Sequence, residues 1–403
     1  MTPTATQRLY WSRPLDQRFT ARVLAVDGPR VAMDRTLFYP EGGGQNADAG
    51  QLQWTGGTAQ VTDVQKSGEV IWHTLAGDLP APEAEVEGQL DWTRRYRHTQ
   101  RHSAEHLLAQ AFHRLNPAFG VRAVSMRGAE CTLDLAGQPS EAHARQAEQL
   151  LMERLRDGLT LDTVMVEGSD LQRFPLRRPP QVEGPVRVVL FRAADGEIWE
   201  ASACGGTHLP RAEQAAPVFI TRLDHIKGGL TRVTFMAGEE ATERLTRVYR
   251  QSQQLSRDFS SSLEDLPVRV AEQRSTLLDL RSDLERTQRQ LARHLLQEAV
   301  GQPWPGTSAT FRLLELPTAT LLKAATEEAR TLTDSLTLLW TTEGRCALVS
   351  DVAEAPAQVL LARLLSSCGG RGGGKPELAQ GAMPDPAAFV ETVRNWYAQA
   401  HES

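Results

Sequence analysis

The chain has 403 residues, of which 40% are hydrophobic and 23% charged, and its formal net charge is -6. These proportions exclude wholesale disorder, and the length exceeds one ordinary core, pointing to several compact units at roughly 100 to 200 residues each. Nowhere does the sequence approach the ~20 uninterrupted apolar residues of a membrane span, and residues 1–13 lack the apolar stretch of a secretory signal. A cytoplasmic protein with no membrane partner is expected.

In chain order, residues 20–26 read as a strand, Asp27-Gly28 as a hairpin turn and 31–38 as the partner strand. Short strands at 51–54, 59–64 and 69–72 continue the pattern, giving a small antiparallel β-barrel over residues 1–91. From Trp92 the apolar residues Leu107, Leu108, Ala111, Phe112 and Leu115 recur at helical spacing until Asn116-Pro117 ends the helix. A β segment at 123–135, a helix at 140–156 with Ser140 as N-cap and Gly158 past its end, and a strand at 186–191 make residues 92–238 an α+β unit. Helical character returns at Glu239, breaks at Leu266-Pro267 and resumes with Leu277, Leu280, Leu284, Thr287, Leu291 and His294 in a three-four spacing. Residues 239–300 therefore read as a helical hairpin or coiled coil, pairing within one chain or between two in a homodimer. After a linker at 301–305, strands (309–316, 336–340, 346–350) alternate with helices (319–331, 356–366, 386–399), so a C-terminal α/β domain occupies 301–403. The fold class is multidomain α+β.

The acidic balance means that any contact with nucleic acid is local. Arg94, Arg95, Arg97 and Arg101 form one basic cluster, and Arg173, Arg177 and Arg178 flank a proline pair. Either could meet RNA, or be a solvated charged face. The cysteines (Cys131, Cys204, Cys346 and Cys368) are scattered without paired spacing, which argues against a disulfide scaffold.

Four segments carry chemistry. In His102-Ser103-Ala104-Glu105-His106, the two histidines lie one helical turn apart, so both can reach one metal ion, unless they are a surface pair. Cys204-Gly205-Gly206-Thr207-His208 offers a thiolate and an imidazole at chelating spacing in a loop. Together they supply three nitrogens and one sulfur, a tetrahedral set suited to zinc. The segment from Phe38 to Gly50 contains a glycine run, Gly42 to Gly44, that allows close approach of a ligand, with Gln45 and Asp48 to orient it, or else a tight connection between strands. The glycine-rich stretch from Cys368 to Gly381 carries Arg371 and Lys375 and can follow a phosphate backbone or be a mobile loop.

These segments, in this order and over nearly the whole chain, resemble the editing half of alanyl-tRNA synthetase and its free-standing relatives, the AlaX-type alanyl-tRNA editing proteins of the long form. The segment from 368 to 381 is similar to the glycine-rich signature of the C-terminal domain called DHHA1. The resemblance implies a zinc-containing editing domain over 92–238, with one Zn2+ per chain on His102, His106, Cys204 and His208. It implies that Gly42, Gly43, Gly44 and Gln45 lie near the acceptor end, and that the terminal domain, through Arg371 and Lys375, helps hold tRNA. No segment resembles an ATP-dependent aminoacylation domain, so the chain is expected to edit and not to charge. Where relatives carry a Thr or Gln near the substrate side chain, this sequence has 122–127 as Arg-Ala-Val-Ser-Met-Arg, which leaves Ser125 and Thr207 as candidates for the contact with a substrate hydroxyl.

The expected function is hydrolysis of mischarged tRNA(Ala), Ser-tRNA(Ala) first and Gly-tRNA(Ala) second. A site that hydrogen-bonds a hydroxyl rejects Ala strongly, because Ala leaves buried polar groups unpaired. A zinc-bound water is the expected nucleophile, and no protein base is assigned. The alternatives are a non-catalytic zinc-containing RNA-binding module, since four protein ligands close the shell, and a metallohydrolase acting on another ester.

Overall fold

The computed structural model describes residues 5–178 and 184–402, and the chain folds as two compact units, residues 1–253 and 254–403. The proline pair at 179–180 lies outside the described residues. Unit 1 begins with β1 (Gln7–Arg8) and a single helical turn, α1 (Leu9–Ser12), followed by β2 (Arg18–Asp27), β3 (Arg30–Met33) and β4 (Arg35–Thr36). Next come β5 (Gly50–Trp54), β6 (Gly57–Ser67), β7 (Val70–Gly77) and β8 (Glu85–Leu90), and the barrel closes in the order β2-β3-β7-β6-β5-β8. Alternate residues such as Phe19, Ala21 and Val23 on β2 and Val86 and Leu90 on β8 point into its core, and closure removes the exposed edges of an open sheet.

The strand expected over 31–38 is broken. Pairing with β7 and β2 ends at Met33, β4 runs in parallel beside β1, and the Phe38 N–H turns back to donate to Thr36 Oγ1. β8 is missing from the sequence reading, because Gly88 takes an inward position beside Phe19 and leaves the apolar half of the alternation incomplete.

α2 (Trp92–Leu115) leaves the barrel with Asp91 as its N-cap, the Asp91 carboxylate accepting from Arg94 N–H at 3.1 Å. The β segment expected at 123–135 is a hairpin, β9 (Val121–Ser125) and β10 (Cys131–Leu135), because the residues 126–130 leave the ladder. α3 (Glu141–Asp157) has the expected caps, Ser140 before it and Gly158 after. β11 (Thr160–Val166), β12 (Val186–Arg192) and β13 (Ile198–Ala203) form one antiparallel sheet, while β14 (Val218–Ile226) and β15 (Leu230–Ala237) join β10 and β9 in the order β14-β15-β10-β9. α2 and α3 pack on this four-stranded sheet through Leu107, Leu108, Ala147 and Leu151 against Leu133 and Phe235. α4 (Gly238–Asp258) follows.

In unit 2, α5 (Leu266–Glu298) starts at the residues expected to break a helix, since Pro267 falls in its first turn, where the missing N–H is harmless. Leu277, Leu280, Leu284 and Leu291 are exposed on α5. The expected linker at 301–305 contributes an edge strand, β16 (Gln302–Pro303), which suits proline because an edge can spare a donor. β17 (Thr310–Leu316), α6 (Ala319–Ala329), β18 (Ser335–Thr341), β19 (Arg345–Ser350) and α7 (Ala357–Ser367) follow, then β20 (Arg371–Lys375), β21 (Leu378–Ala382) and α8 (Pro386–Glu402). The sheet order is β16-β17-β18-β19-β21-β20, and only β17 and β18 pair in parallel. β18 is buried along its length: Leu336 and Leu338 face α7 and α8, and Leu339 faces α6 and the end of α5. The glycine-rich segment is not a loop, because its residues 371–382 form the β20–β21 hairpin with Arg371 and Lys375 exposed on the edge strand.

One histidine of the barrel is a structural group. His73 is fully buried, with Nε2 2.9 Å from Thr36 Oγ1 and Nδ1 3.2 Å from Val31 O, and burial pushes its pKa down from 6.5 to about 4. The folded state therefore resists a proton that the unfolded chain takes up near pH 6.5. Its contribution is intact above that pH and lost as pH falls toward 4, a change on the order of 3 kcal/mol. Unfolding titrations between pH 7 and 4 are expected to show this loss in the native chain and a shallower slope in His73→Gln.

Candidate metal centre

The centre forms where the middle of α2 meets the loop after β13. Nearly all of α2 from His98 to Phe112 is buried, so its polar residues must find partners inside unit 1. His102 and His106 lie one turn apart on it. The loop is held from outside by Arg187, whose Nη1 donates to Cys204 O at 2.9 Å and Gly206 O at 3.0 Å, and by Trp11, whose Nε1 donates to Gly205 O at 2.8 Å. Gly206 is required by proximity, since a Cβ there would come within 2.0 Å of the His102 ring.

One ligand atom from each of His102, His106, Cys204 and His208 lies within 4.8 Å of the others. Cys204 Sγ is 3.3 Å from both His102 Nε2 and His208 Nε2. That separation is close to the edge of a zinc tetrahedron, about 3.5 Å for Zn–N and Zn–S bonds of roughly 2.0 and 2.3 Å. The donor set fits zinc in chemistry as well as in size. His102 Nδ1 is 2.7 Å from Gln45 Oε1, His208 Nδ1 is 3.5 Å from Ser103 Oγ, and His106 Nδ1 is 3.3 Å from Glu200 Oε1. Partners of this kind fix ring orientation and raise ligand basicity.

Electrostatics put the ligands in the state a cation needs. Burial opposes ionisation of Cys204, but the surrounding His102, His208 and His106 outweigh it and hold the thiol well below its ordinary range. Burial alone would depress His106, yet Glu200 and Cys204 raise it well above 6.5, whereas burial and the neighbouring His102 and His106 push His208 down to about 3. A thiolate with at most a shared proton is ready to exchange that proton for a metal ion.

The remaining expected residues divide. Gly43 and Gly44 take positive φ (58° and 83°) in the turn after Tyr39, and a Cβ on Gly44 would press on Val124. Gln45 and Thr207 are buried and bonded to each other, with Thr207 Oγ1 also 2.9 Å from Thr99 Oγ1. Gly42 and Gly43 line a cleft of about 1360 Å³ in front of the ligands, which is also bounded by Trp11, Tyr39, Arg122 and Val124. Ser125 is on β9 but is not among the cleft-lining residues. Arg371 and Lys375 lie in unit 2.

The first basic cluster is structural. Arg95 is wholly buried on Asp48, Arg101 binds Glu240 at 2.6 Å, Arg97 binds Glu243 at 2.5 Å, and Arg94 donates to Ala47 O at 2.9 Å. Arg177 and Arg178, by contrast, line the cleft, Arg177 also binding Glu200 at 3.0 Å. Sequence reasoning missed Glu200, Ser103 and Arg187, which have no motif of their own.

A family model described as tRNA synthetases class II (A) matches residues 9–94. The alanine–tRNA ligase of Pyrococcus abyssi is 31% identical over 402 residues, 97% of this chain and 43% of that protein. That of Thermococcus kodakarensis is 32% identical over 403 residues, 96% of this chain and 43% of its own length. A solved C-Ala domain from Aquifex aeolicus alanyl-tRNA synthetase matches 25% of this chain and 96% of its own at 16% identity, with a TM-score of 0.22, too slight a likeness to support more. The chain is thus homologous to alanine–tRNA ligases along nearly its whole length, and spans less than half the length of these relatives.

Metal analysis of purified variants checks the centre. Cys204→Ala is expected to lose the metal and Cys368→Ala, in unit 2, to retain it. Glu200→Gln should keep the fold and weaken zinc affinity by about 10- to 100-fold, read by competition with a chelator.

Proposed function

We propose that this relative of alanine–tRNA ligases is a zinc-dependent hydrolase that removes a wrong amino acid from tRNA(Ala), with Ser-tRNA(Ala) the first substrate and Gly-tRNA(Ala) the second. The observation that carries this reading is the convergence of four ligands, of which His102, His106 and Cys204 line a cleft whose other walls are a glycine turn and a set of cations. An aminoacyl ester is already activated, so its hydrolysis needs a positioned water and stabilisation of developing negative charge. His102, His106, Cys204 and His208 would hold one Zn2+, which when bound supplies Lewis acidity toward the ester carbonyl and toward water.

The chain's own residues supply binding and orientation. Arg8, Lys66, Arg122, Arg177, Arg178 and Arg187 line the cleft, so an acidic chain presents local positive charge where the phosphates of an acceptor end would lie. Gly42 and Gly43 leave room for backbone to approach the ester. Gln45 bridges His102 and Thr207, which ties the glycine turn to the ligand loop and holds both walls of the cleft in register. Of the two candidates for the substrate hydroxyl, Thr207 lies behind the ligands on Gln45 and Thr99 and Ser125 lies off the cleft wall, so either would have to be reached by a substrate that enters past the glycine turn. Arg371 and Lys375 are the candidates for tRNA contact in unit 2, and the exposed leucines of α5 for the seam of a homodimer.

The four-ligand shell favours one other reading, a non-catalytic RNA-binding module with structural zinc. Incubation with Ser-tRNA(Ala) separates the two. The full chain is expected to release serine at least about 100-fold faster than the spontaneous rate, to spare Ala-tRNA(Ala), and to lose the activity when a chelator strips the metal. Serine release at the spontaneous rate by zinc-loaded protein would leave the binding module as the reading.

A further inference from the structure

Among the described residues, two carboxylates line the cleft. Glu69 is matched by Arg8 at 2.5 Å and Lys66 at 3.4 Å. Glu105 is different. It stands on α2 between the two ligand histidines, three residues after His102 and therefore on the cleft side of the same helical face. Its side chain is only 8% exposed, yet among the described residues it takes part in no hydrogen bond and no arginine or lysine reaches it. Its one ion-pair contact among the described residues is with His106, whose Nε2 is 3.6 Å from Glu105 Oε2, and Glu105 is not one of the four converging ligands. Neither of its oxygens is sealed away from the cleft, so the carboxylate is open to a ligand there that can donate to it.

We propose that Glu105 binds the free α-ammonium group of the substrate's amino acid, and so restricts the site to aminoacyl esters with an unblocked amine. This rests on the deacylase reading above. The charge pattern of the cleft supports it. Among the described residues, Arg122 and Arg178 have no carboxylate partner and would meet phosphates, while one carboxylate with no arginine or lysine partner sits beside the metal ligands, where the ester carbonyl would lie. In an α-aminoacyl ester the ammonium is attached one carbon away from that carbonyl, so a substrate oriented carbonyl-first brings its positive charge to the one carboxylate among the described cleft residues that no arginine or lysine neutralises. A peptidyl or N-acyl ester has no such charge and would leave Glu105 unpaired.

The test compares Ser-tRNA(Ala) with N-acetyl-Ser-tRNA(Ala) on the full zinc-loaded chain and on Glu105→Gln. The native chain is expected to favour the free amine by about 10- to 100-fold in kcat/KM, the range of a hydrogen bond to a charged group. Glu105→Gln should lower the rate on Ser-tRNA(Ala) to near that on the acetylated substrate, leave the latter unchanged, and keep one zinc per chain. Binding of a non-hydrolysable seryl amide of adenosine and its N-acetyl form should show the same preference, lost in the variant. Equal rates on both substrates with the native chain would overturn the proposal, as would a variant that loses both activities equally or loses its zinc. Release of serine from neither substrate by the native chain would instead overturn the deacylase reading on which the proposal stands.

Discussion

The structure of unit 1 depends on the seating of one barrel turn against the first half of α2. Arg95 and Asp48 form an ion pair with side chains 0% and 1% exposed, and Arg95 also reaches Leu37 O. Asp48 accepts from Tyr39 N–H at 2.7 Å, so the same carboxylate shapes the turn and anchors the helix. Removing one member would strand a buried charge, at a cost of about 3 to 5 kcal/mol. Three residues earlier in the turn, Gln45 touches both His102 and Thr207. The barrel thereby fixes the rotation of α2 and the orientation of a metal ligand at the same interface.

That seating explains why the ligands need so much support. A thiolate and three imidazoles packed within 4.8 Å repel, desolvate or share protons unless each outer nitrogen has a partner. Gln45, Ser103 and Glu200 provide those partners from the barrel, the helix and β13 respectively. Glu200 is held in turn by Arg177 and Ser202, so the charge balance of the centre extends to the wall of the cleft. The cleft wall and the candidate metal centre are one electrostatic system.

Local signals in the sequence were legible where one element decides them. The spacing of His102 and His106, the paired Cys204 and His208, the caps of α3 at Ser140 and Gly158 and the strand at β18 all follow from periodicity or short-range chemistry. What the sequence hid was set by tertiary context. Arg94, Arg95, Arg97 and Arg101 look like an RNA-binding cluster in one dimension, and only the fold brings Asp48, Glu240 and Glu243 to them. Glu200 lies 94 residues from His106 and carries no spacing that would link the two. The glycines at 372–374 suggest a loop, but their ladder with residues 379–381 makes a strand that side-chain patterning cannot announce. β14 and β15 were overlooked because polar residues interrupt both, Thr221 and Arg222 exposed on β14 and Thr231 and Thr234 buried in β15.

X-ray absorption at the zinc edge on the purified full-length chain addresses the central claim most directly. One zinc per chain with a single sulfur at about 2.3 Å and three nitrogens at about 2.0 to 2.1 Å is the predicted result. A shell without sulfur, or zinc bound far below one per chain under saturating metal, would contradict the assignment of His102, His106, Cys204 and His208 as its ligands.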